Sequence, residues 1–355
     1  MEDKELILSI KDLEVEFTTR GVKSRTIRKF SLDLYKGETV VIVGESGSGK
    51  SVVTKSCLGL LDKNGEIVGG SIMYDGREIS KYSTEKQWQS IRGKEIALVM
   101  QNPMTALNPL MKVGKQIHEA LMMGGALTKE EAKAEAINLL TRVGIHDAPR
   151  RYNSYPHELS GGQRQRVMIA IACALRPKVL ICDEPTTALD VTIQNQILKL
   201  LKELKDEFNM SILFITHDLG VVANIADRIA VMYAGQVVEF GLCDEIFHDP
   251  KHPYTWALLS AMPQLGKKGE PLPSIEGTPP NRTKKIVGDA FAPRNKRALK
   301  IDFIDEPPLT MVSDTHGAKT WYLDERCPEI PLPDELTNYK EKMESVYAGT
   351  IHSHF

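Results

Sequence analysis

The eight residues Gly44-Glu45-Ser46-Gly47-Ser48-Gly49-Lys50-Ser51 constrain what this chain can fold into more than any other stretch, because they fit G-x-x-x-x-G-K-[ST] without a mismatch. The pattern requires a strand before it and a helix after it. The apolar run at 39–43 predicts the strand, and residues 52–61 predict the helix. In that setting glycines let the backbone amides point inward around phosphate oxygens, and the helix N-terminus adds a favourable dipole. Lys50 then reaches the β- and γ-phosphates and Ser51 ligates Mg²⁺. Thr54, one helical turn on, joins the candidate ATP-binding set. The unit implies a nucleoside-triphosphate site in an α/β protein.

A second block points the same way. Leu159-Ser160-Gly161-Gly162-Gln163 has the grammar of a helix start: Ser160 caps, two glycines let the backbone approach a ligand, and Gln163 opens an amphipathic run. Downstream, Val179-Leu180-Ile181-Cys182 is an apolar strand ending in Asp183-Glu184, and Ala188-Leu189-Asp190 closes the block. A parallel strand buried on both faces offers its C-terminal end to a ligand crevice. Asp183 is thereby placed to hold Mg²⁺ and Glu184 to polarise a water.

With the loop upstream, this block resembles the signature motif, Walker B strand and D-loop of the ABC-transporter ATPase family. The resemblance implies that Ser160, Gly161, Gly162 and Gln163 act in trans, closing on ATP held by a partner subunit, with Asp190 in the D-loop. It also assigns roles to residues whose own chemistry leaves alternatives open. Gln101 ends a strand at 96–100 and either ligates Mg²⁺ and the attacking water or is a surface amide. His217 follows the apolar strand 211–216 and is similar to the family's switch histidine; a lone His is more often structural. Phe17 ends the alternating run 6–17, where the family offers a ring to adenine, and reads equally as a core Phe.

The remaining chain fits one nucleotide-binding domain over 1–262. It has an antiparallel β subdomain, with a hairpin expected near Gly69–Gly76, and a helical insert at about 102–158. Thr128-Lys129-Glu130-Glu131 is a capping box within that insert. The helical spacing of Ile193, Ile197, Leu200, Leu201 and Leu204 predicts a helix on the sheet, and 229–241 a last hairpin. A formal net charge of -2 gives no global field for nucleic acid or an anionic bilayer. No apolar run approaches the roughly 20 residues of a membrane span, so another chain is expected to supply any membrane path. Five scattered cysteines fit a reduced, cytoplasmic setting, and the start Met1-Glu2-Asp3-Lys4-Glu5 is too acidic for a signal peptide.

Beyond the domain, His252-Pro253-Tyr254-Thr255, Leu258-Leu259, Pro263 and Ile275-Glu276-Gly277-Thr278-Pro279-Pro280 resemble the D-type and F-type ATP-binding subunits of oligopeptide and dipeptide permeases and their nickel-transporting relatives. The resemblance spans about 6–325 and implies an appendage at 263–330. The tail 331–355, with a short helix at 335–346, has no assigned role. The implied partners are a second, F-type ATPase, two transmembrane permease subunits and, through the complex, an extracellular substrate-binding protein, with no nucleic acid. The implied place is the cytoplasmic face of the membrane. A nickel or other small-solute importer, or a soluble ABC ATPase outside transport, are the alternative readings. Many such subunits carry four cysteines in the appendage for an iron–sulfur cluster. Here Asp289, Asn295, Asp302 and Thr320 stand in those places, so no cluster is expected; an oxygen-ligand site at Asp289 and Asp302 is weighed against ordinary surface polarity. Apolar contacts from Phe291, Leu299, Leu309 and Trp321 are expected to fold the appendage.

Overall fold

The computed structural model describes residues 5–187, 189–262, 274–333 and Leu336. Apart from Leu336, the expected tail helix at 335–346 lies outside these, as do Pro263, Ala188 of the D-loop and the first four residues. The strands are β1 (Leu6–Thr19), β2 (Val22–Tyr35), β3 (Thr39–Val43), β4 (Gly65–Tyr74), β5 (Arg77–Glu78) and β6 (Ile96–Val99). After them come β7 (Val179–Asp183), β8 (Ser211–Thr216), β9 (Arg228–Tyr233), β10 (Gln236–Leu242), β11 (Leu309–Met311) and β12 (Gly317–Lys319). They form a four-stranded sheet, β2-β1-β4-β5, and an eight-stranded sheet, β11-β12-β10-β9-β3-β8-β7-β6. The first is antiparallel. In the second, β9, β3, β8, β7 and β6 run parallel.

Side-chain alternation explains how the layers stack. Val40, Ile42, Ile181, Leu213 and Ile215 face the antiparallel sheet and pack with Ile10, Leu13, Val15 and Phe30. Their neighbours Val41, Val43, Leu180, Cys182, Ile212 and Phe214 face the helical side. Because successive strand residues point to opposite faces, strands apolar throughout are the ones clamped between two layers. The antiparallel strands turn tightly: Arg20-Gly21 and Asp75-Gly76 both have positive φ at both residues, the geometry that matches hairpin twist. The hairpin expected near 69–76 thus turns at Asp75-Gly76. Gly69-Gly70 instead lie inside β4 beside a register shift against β1, where Gly70 has φ +78 and a Cβ would sit 2.4 Å from the Asp12 carbonyl carbon.

The helices are α1 (Lys50–Cys57), α2 (Glu85–Ile91), α3 (Pro103–Ala106), α4 (Val113–Met122), α5 (Lys129–Arg142) and α6 (Ala148–Arg151), then α7 (Gly161–Cys173), α8 (Val191–Phe208), α9 (Leu219–Ile225), α10 (Cys243–His248) and α11 (Pro253–Ser260). The helix expected at 52–61 starts two residues earlier and stops at Cys57. The predicted capping box at Thr128 is formed with Glu131. Helices α3 to α6 make the arm that leads into α7. Among the described residues, no helix is long and apolar enough to cross a membrane.

The C-terminal segment does not simply hang from the domain. β12 pairs with β10 and β11 with β12, so the segment extends the large sheet. Phe291 is buried against Tyr233 and Tyr254, but Leu309, counted among its apolar anchors, is 48% exposed. Hydrogen bonds to the backbone fill the four places where relatives carry cysteines. Asp289 accepts from the Phe291 amide, Asn295 from that of Arg297, Asp302 from that of Leu299 and Thr320 from that of Tyr322. Asp289 and Asp302 are buried, which corrects the reading of this pair as surface polar residues; Thr320 is buried as well. Asp289 and Asp302 gain no third acidic, His or Cys neighbour suited to a metal among the described residues.

Candidate active site

The phosphate loop joins β3 to α1, and its shape explains its glycines. Gly49 has φ +113, and a Cβ on Gly44 would lie 2.1 Å from the Met232 carbonyl oxygen. Ser46 and Gly47 are exposed, Ser48 is buried, and the Ser48 amide donates to the Glu45 carbonyl at 3.1 Å. The Ser48 hydroxyl has no hydrogen-bond partner among the described residues, an orphan of the kind a ligand satisfies. Lys50 is buried, and its Nζ donates to the carbonyls of Gly44 (2.7 Å) and Glu45 (3.1 Å) and lies 3.8 Å from Glu184 Oε1. Burial pushes the Lys50 ammonium down from its ordinary pKa, while Glu184, Asp183 and Glu45 pull it up. Thr54 is buried in α1 and donates to the Ser51 carbonyl, so it braces the helix.

The neighbouring strand ends supply the rest. Ser51 Oγ donates to Asp183 Oδ1 at 3.0 Å, joining the loop to the end of β7. Burial raises the Asp183 pKa, partly offset by that hydrogen bond. A desolvated carboxylate bonded to a serine hydroxyl offers oxygen donors, which suit a hard cation such as Mg²⁺. One residue on, Glu184 adopts φ +48, unusual for a side chain of this size. Its Oε2 accepts from Gln101 Nε2 (3.0 Å) and Thr187 Oγ1 (3.1 Å) and lies 3.2 Å from His217 Nδ1. Gln101, Glu184 and His217 follow β6, β7 and β8, three adjacent parallel strands beside β3. Parallel pairing therefore gathers residues far apart in sequence at one sheet edge. Thr187 belongs to this cluster and could not be picked out from the sequence, since nothing in its spacing distinguishes it.

Comparison with known proteins identifies the family. An ABC transporter family model matches residues 27–187, and one described as oligopeptide/dipeptide transporter, C-terminal region, matches 238–301. The oligopeptide transport ATP-binding protein AmiE of Streptococcus pneumoniae is 52% identical over 96% of this chain and 96% of its own. OppD of Bacillus subtilis, also an oligopeptide transport ATP-binding protein, is 52% identical over 97% of both chains. The chain belongs to the ABC transporter ATP-binding family.

Solved cassettes of that family share its fold. A dimeric ATP-binding cassette in a post-hydrolysis state with ADP and Pi superposes with TM-score 0.59 at 29% identity, covering 66% of this chain and 98% of that one. CbiO1 from Clostridium perfringens, part of an ABC transporter complex, gives 0.60 at 28% identity over 69% and 92%. The signature stretch of this ABC ATPase opens α7, where Ser160 accepts from the Gln163 amide and Gln163 Oε1 accepts from the Ser160 amide. Gly161 is exposed, and a Cβ there would meet nothing nearer than Leu189 Cδ2 at 4.0 Å, whereas Gly162 is closed off by Ile193 at 2.8 Å. Asp190 caps α8 through the Ile193 amide. No hydrogen bond among the described residues ties Ser160–Gln163 to the chain's own phosphate loop. Phe17 lies on β1 with its ring over Gly65 of β4, so close that a Cβ there would meet it at 2.5 Å.

Proposed function

We propose that this ATPase is the motor subunit of an importer for oligopeptides or dipeptides, hydrolysing ATP at the sheet edge described above. The observation that carries the reading is the convergence of Gln101, Glu184 and His217 beside Lys50 and Ser51. Backbone amides of Gly44–Ser51 would cradle the phosphates, with Lys50 leaving its loop carbonyls for the β- and γ-phosphate oxygens. Ser51, Asp183 and Gln101 would hold Mg²⁺, which when bound neutralises charge on those oxygens. Glu184 would take the proton of the attacking water, and His217 and Thr187 fix the orientation of its carboxylate. Phosphoryl transfer needs little covalent help, so positioning and charge neutralisation carry it.

The exposed Gly161 supports action of the signature stretch on ATP bound elsewhere, in a second, homologous ATPase of the F type. Two transmembrane permease subunits and an extracellular substrate-binding protein complete the assembly, and the chain sits peripherally on the cytoplasmic face of the membrane. Phe17 is assigned to the adenine end of the site on resemblance alone. The test is Glu184→Gln in the assembled transporter. Steady-state hydrolysis should fall by about 10²–10⁴, the usual worth of a positioned general base, while ATP binding persists. Turnover near wild type would refute the assignment of Glu184.

A further inference from the structure

The C-terminal segment reaches the phosphate loop itself. Arg294 grips the Glu45 carboxylate with both arms of its guanidinium, Nη1 to Oε2 at 2.5 Å and Nη2 to Oε1 at 2.9 Å. Its remaining donors are also engaged, by the Glu276 carbonyl (2.9 Å), the Ile275 carbonyl (3.1 Å) and the Tyr233 hydroxyl (3.3 Å). All five N–H donors of the group are thus used, in a fork that a lysine cannot reproduce. The Arg294 side chain is 4% exposed. Glu45 is held a second time, its amide donating to the Tyr254 hydroxyl at 2.8 Å. Nearby, Arg282 stands over Gly47, its Nη2 3.3 Å from where a Cβ would be, and helps bound a small cavity against Glu45–Ser48.

Why a phosphate-binding loop should need this follows from charge. Glu45 puts a carboxylate on a loop whose task is to hold anions, in a partly buried place where repulsion is weakly screened. The same residue's carbonyl accepts from Lys50, so its backbone position bears on the lysine meant for the phosphates. We propose that the C-terminal segment completes the ATP site, with Arg294 as a positioning residue that neutralises Glu45 and fixes the loop for phosphate. Arg294 touches no reacting atom; it acts through Glu45. The proposal rests on the reading of Gly44–Ser51 as the loop that holds ATP.

The experiment is a double-mutant cycle on the full-length chain, reading the dissociation constant of ATP, with Lys50→Ala as a control on the loop itself. Arg294→Ala should weaken ATP binding about tenfold, a size typical of coupled contacting charges. Arg294→Lys, which keeps the charge and loses the fork, should fall between Ala and wild type. In a Glu45→Gln background, with no charge left to neutralise, Arg294→Ala should cost less than about threefold. In the assembled transporter the Arg294→Ala defect should appear in KM for ATP more than in kcat. Loss of binding with Lys50→Ala but unchanged binding with both Arg294 variants would overturn the clamp and leave the loop reading intact. An equal loss from Arg294→Ala in both backgrounds would also overturn it, since Arg294 would then serve only the fold. Unchanged binding with Lys50→Ala would overturn the reading of the loop.

Discussion

Gly161→Ala separates what the stretch Ser160–Gln163 does for its own fold from the action on a partner proposed for it. Gly161 is exposed, it is absent from the positive-φ positions, and a Cβ there would have Leu189 Cδ2 at 4.0 Å as its nearest neighbour. Alanine therefore adds no clash and no backbone strain. Loss of glycine's freedom in the unfolded chain should stabilise by about 0.4–1 kcal/mol, a Tm rise of roughly 1–3 °C for a chain this long. ATP binding to the isolated chain should not change, because Gly161 has no bond to the chain's own loop among the described residues. If another subunit's ATP closes onto this helix start, however, the new methyl fills the space the phosphates need. Turnover of the assembled transporter should then fall by about 10²–10³, the usual loss when one preorganised donor is removed, or about 3–4 kcal/mol. Thermal melts, ATP titration of the isolated chain and phosphate release by the complex read the three quantities. Turnover within twofold of wild type would refute the trans role. Loss of ATP binding by the isolated chain would place Gly161 at the chain's own site.

The remaining predictions concern the loop and the C-terminal segment. Gly44→Ala drives a methyl to 2.1 Å from a backbone carbonyl oxygen, so ATP binding should be lost and the melting temperature lowered by several degrees, seen by titration and calorimetry. Burial raises the Asp289 carboxyl to about 6, above its ordinary 3.8, so the fold favours the protonated form and loses stability as pH rises through that interval. Asp289→Asn, which can still cap Phe291, should therefore stabilise the chain at pH 7.5 by about 3 kcal/mol, the gain shrinking as pH falls from 6 toward 4 in urea melts. Destabilisation at pH 7.5 would contradict it. Anaerobic purification followed by iron and sulfide analysis should find no stoichiometric iron, because Asp289, Asn295, Asp302 and Thr320 are committed to backbone amides; a brown protein would show the segment misread.

What could be read from the residues, and what could not, divides along sequence distance. The strand at Thr39–Val43, the capped helix starts at Thr128 and Ser160, and the strand ending in Asp183-Glu184 declared themselves because each is a local pattern: a short apolar run, a cap spacing, or a glycine run. Gln101, Glu184 and His217 could be nominated singly through family resemblance, yet their meeting on one oxygen depends on β6, β7 and β8 being neighbours, which no local pattern encodes. Gly69-Gly70 shows the converse error. A glycine pair reads as a turn, but here it lets β4 bulge past Asp12, and only the register with β1 tells the two apart.

The C-terminal segment was the least legible for the same reason. Three-residue strands such as β11 and β12 are too short to show a period, so their addition to the large sheet left no trace in the sequence. Glu45 and Arg294 are 249 residues apart, and each has an innocuous local explanation, a variable position in a phosphate loop and an arginine in a proline-containing turn. Only their bidentate contact turns two unremarkable charges into one device. A largely buried ion pair gives little net stability, whereas removing Arg294 leaves the Glu45 carboxylate unpaired in a place that water only partly reaches. Such a pair between the loop and a segment joined late in the chain makes the ATP site depend on whether that segment is docked. That dependence is a reason for a nucleotide-binding domain to carry an arginine on its appendage, besides the carbonyls of Ile275 and Glu276 that the same arginine ties together.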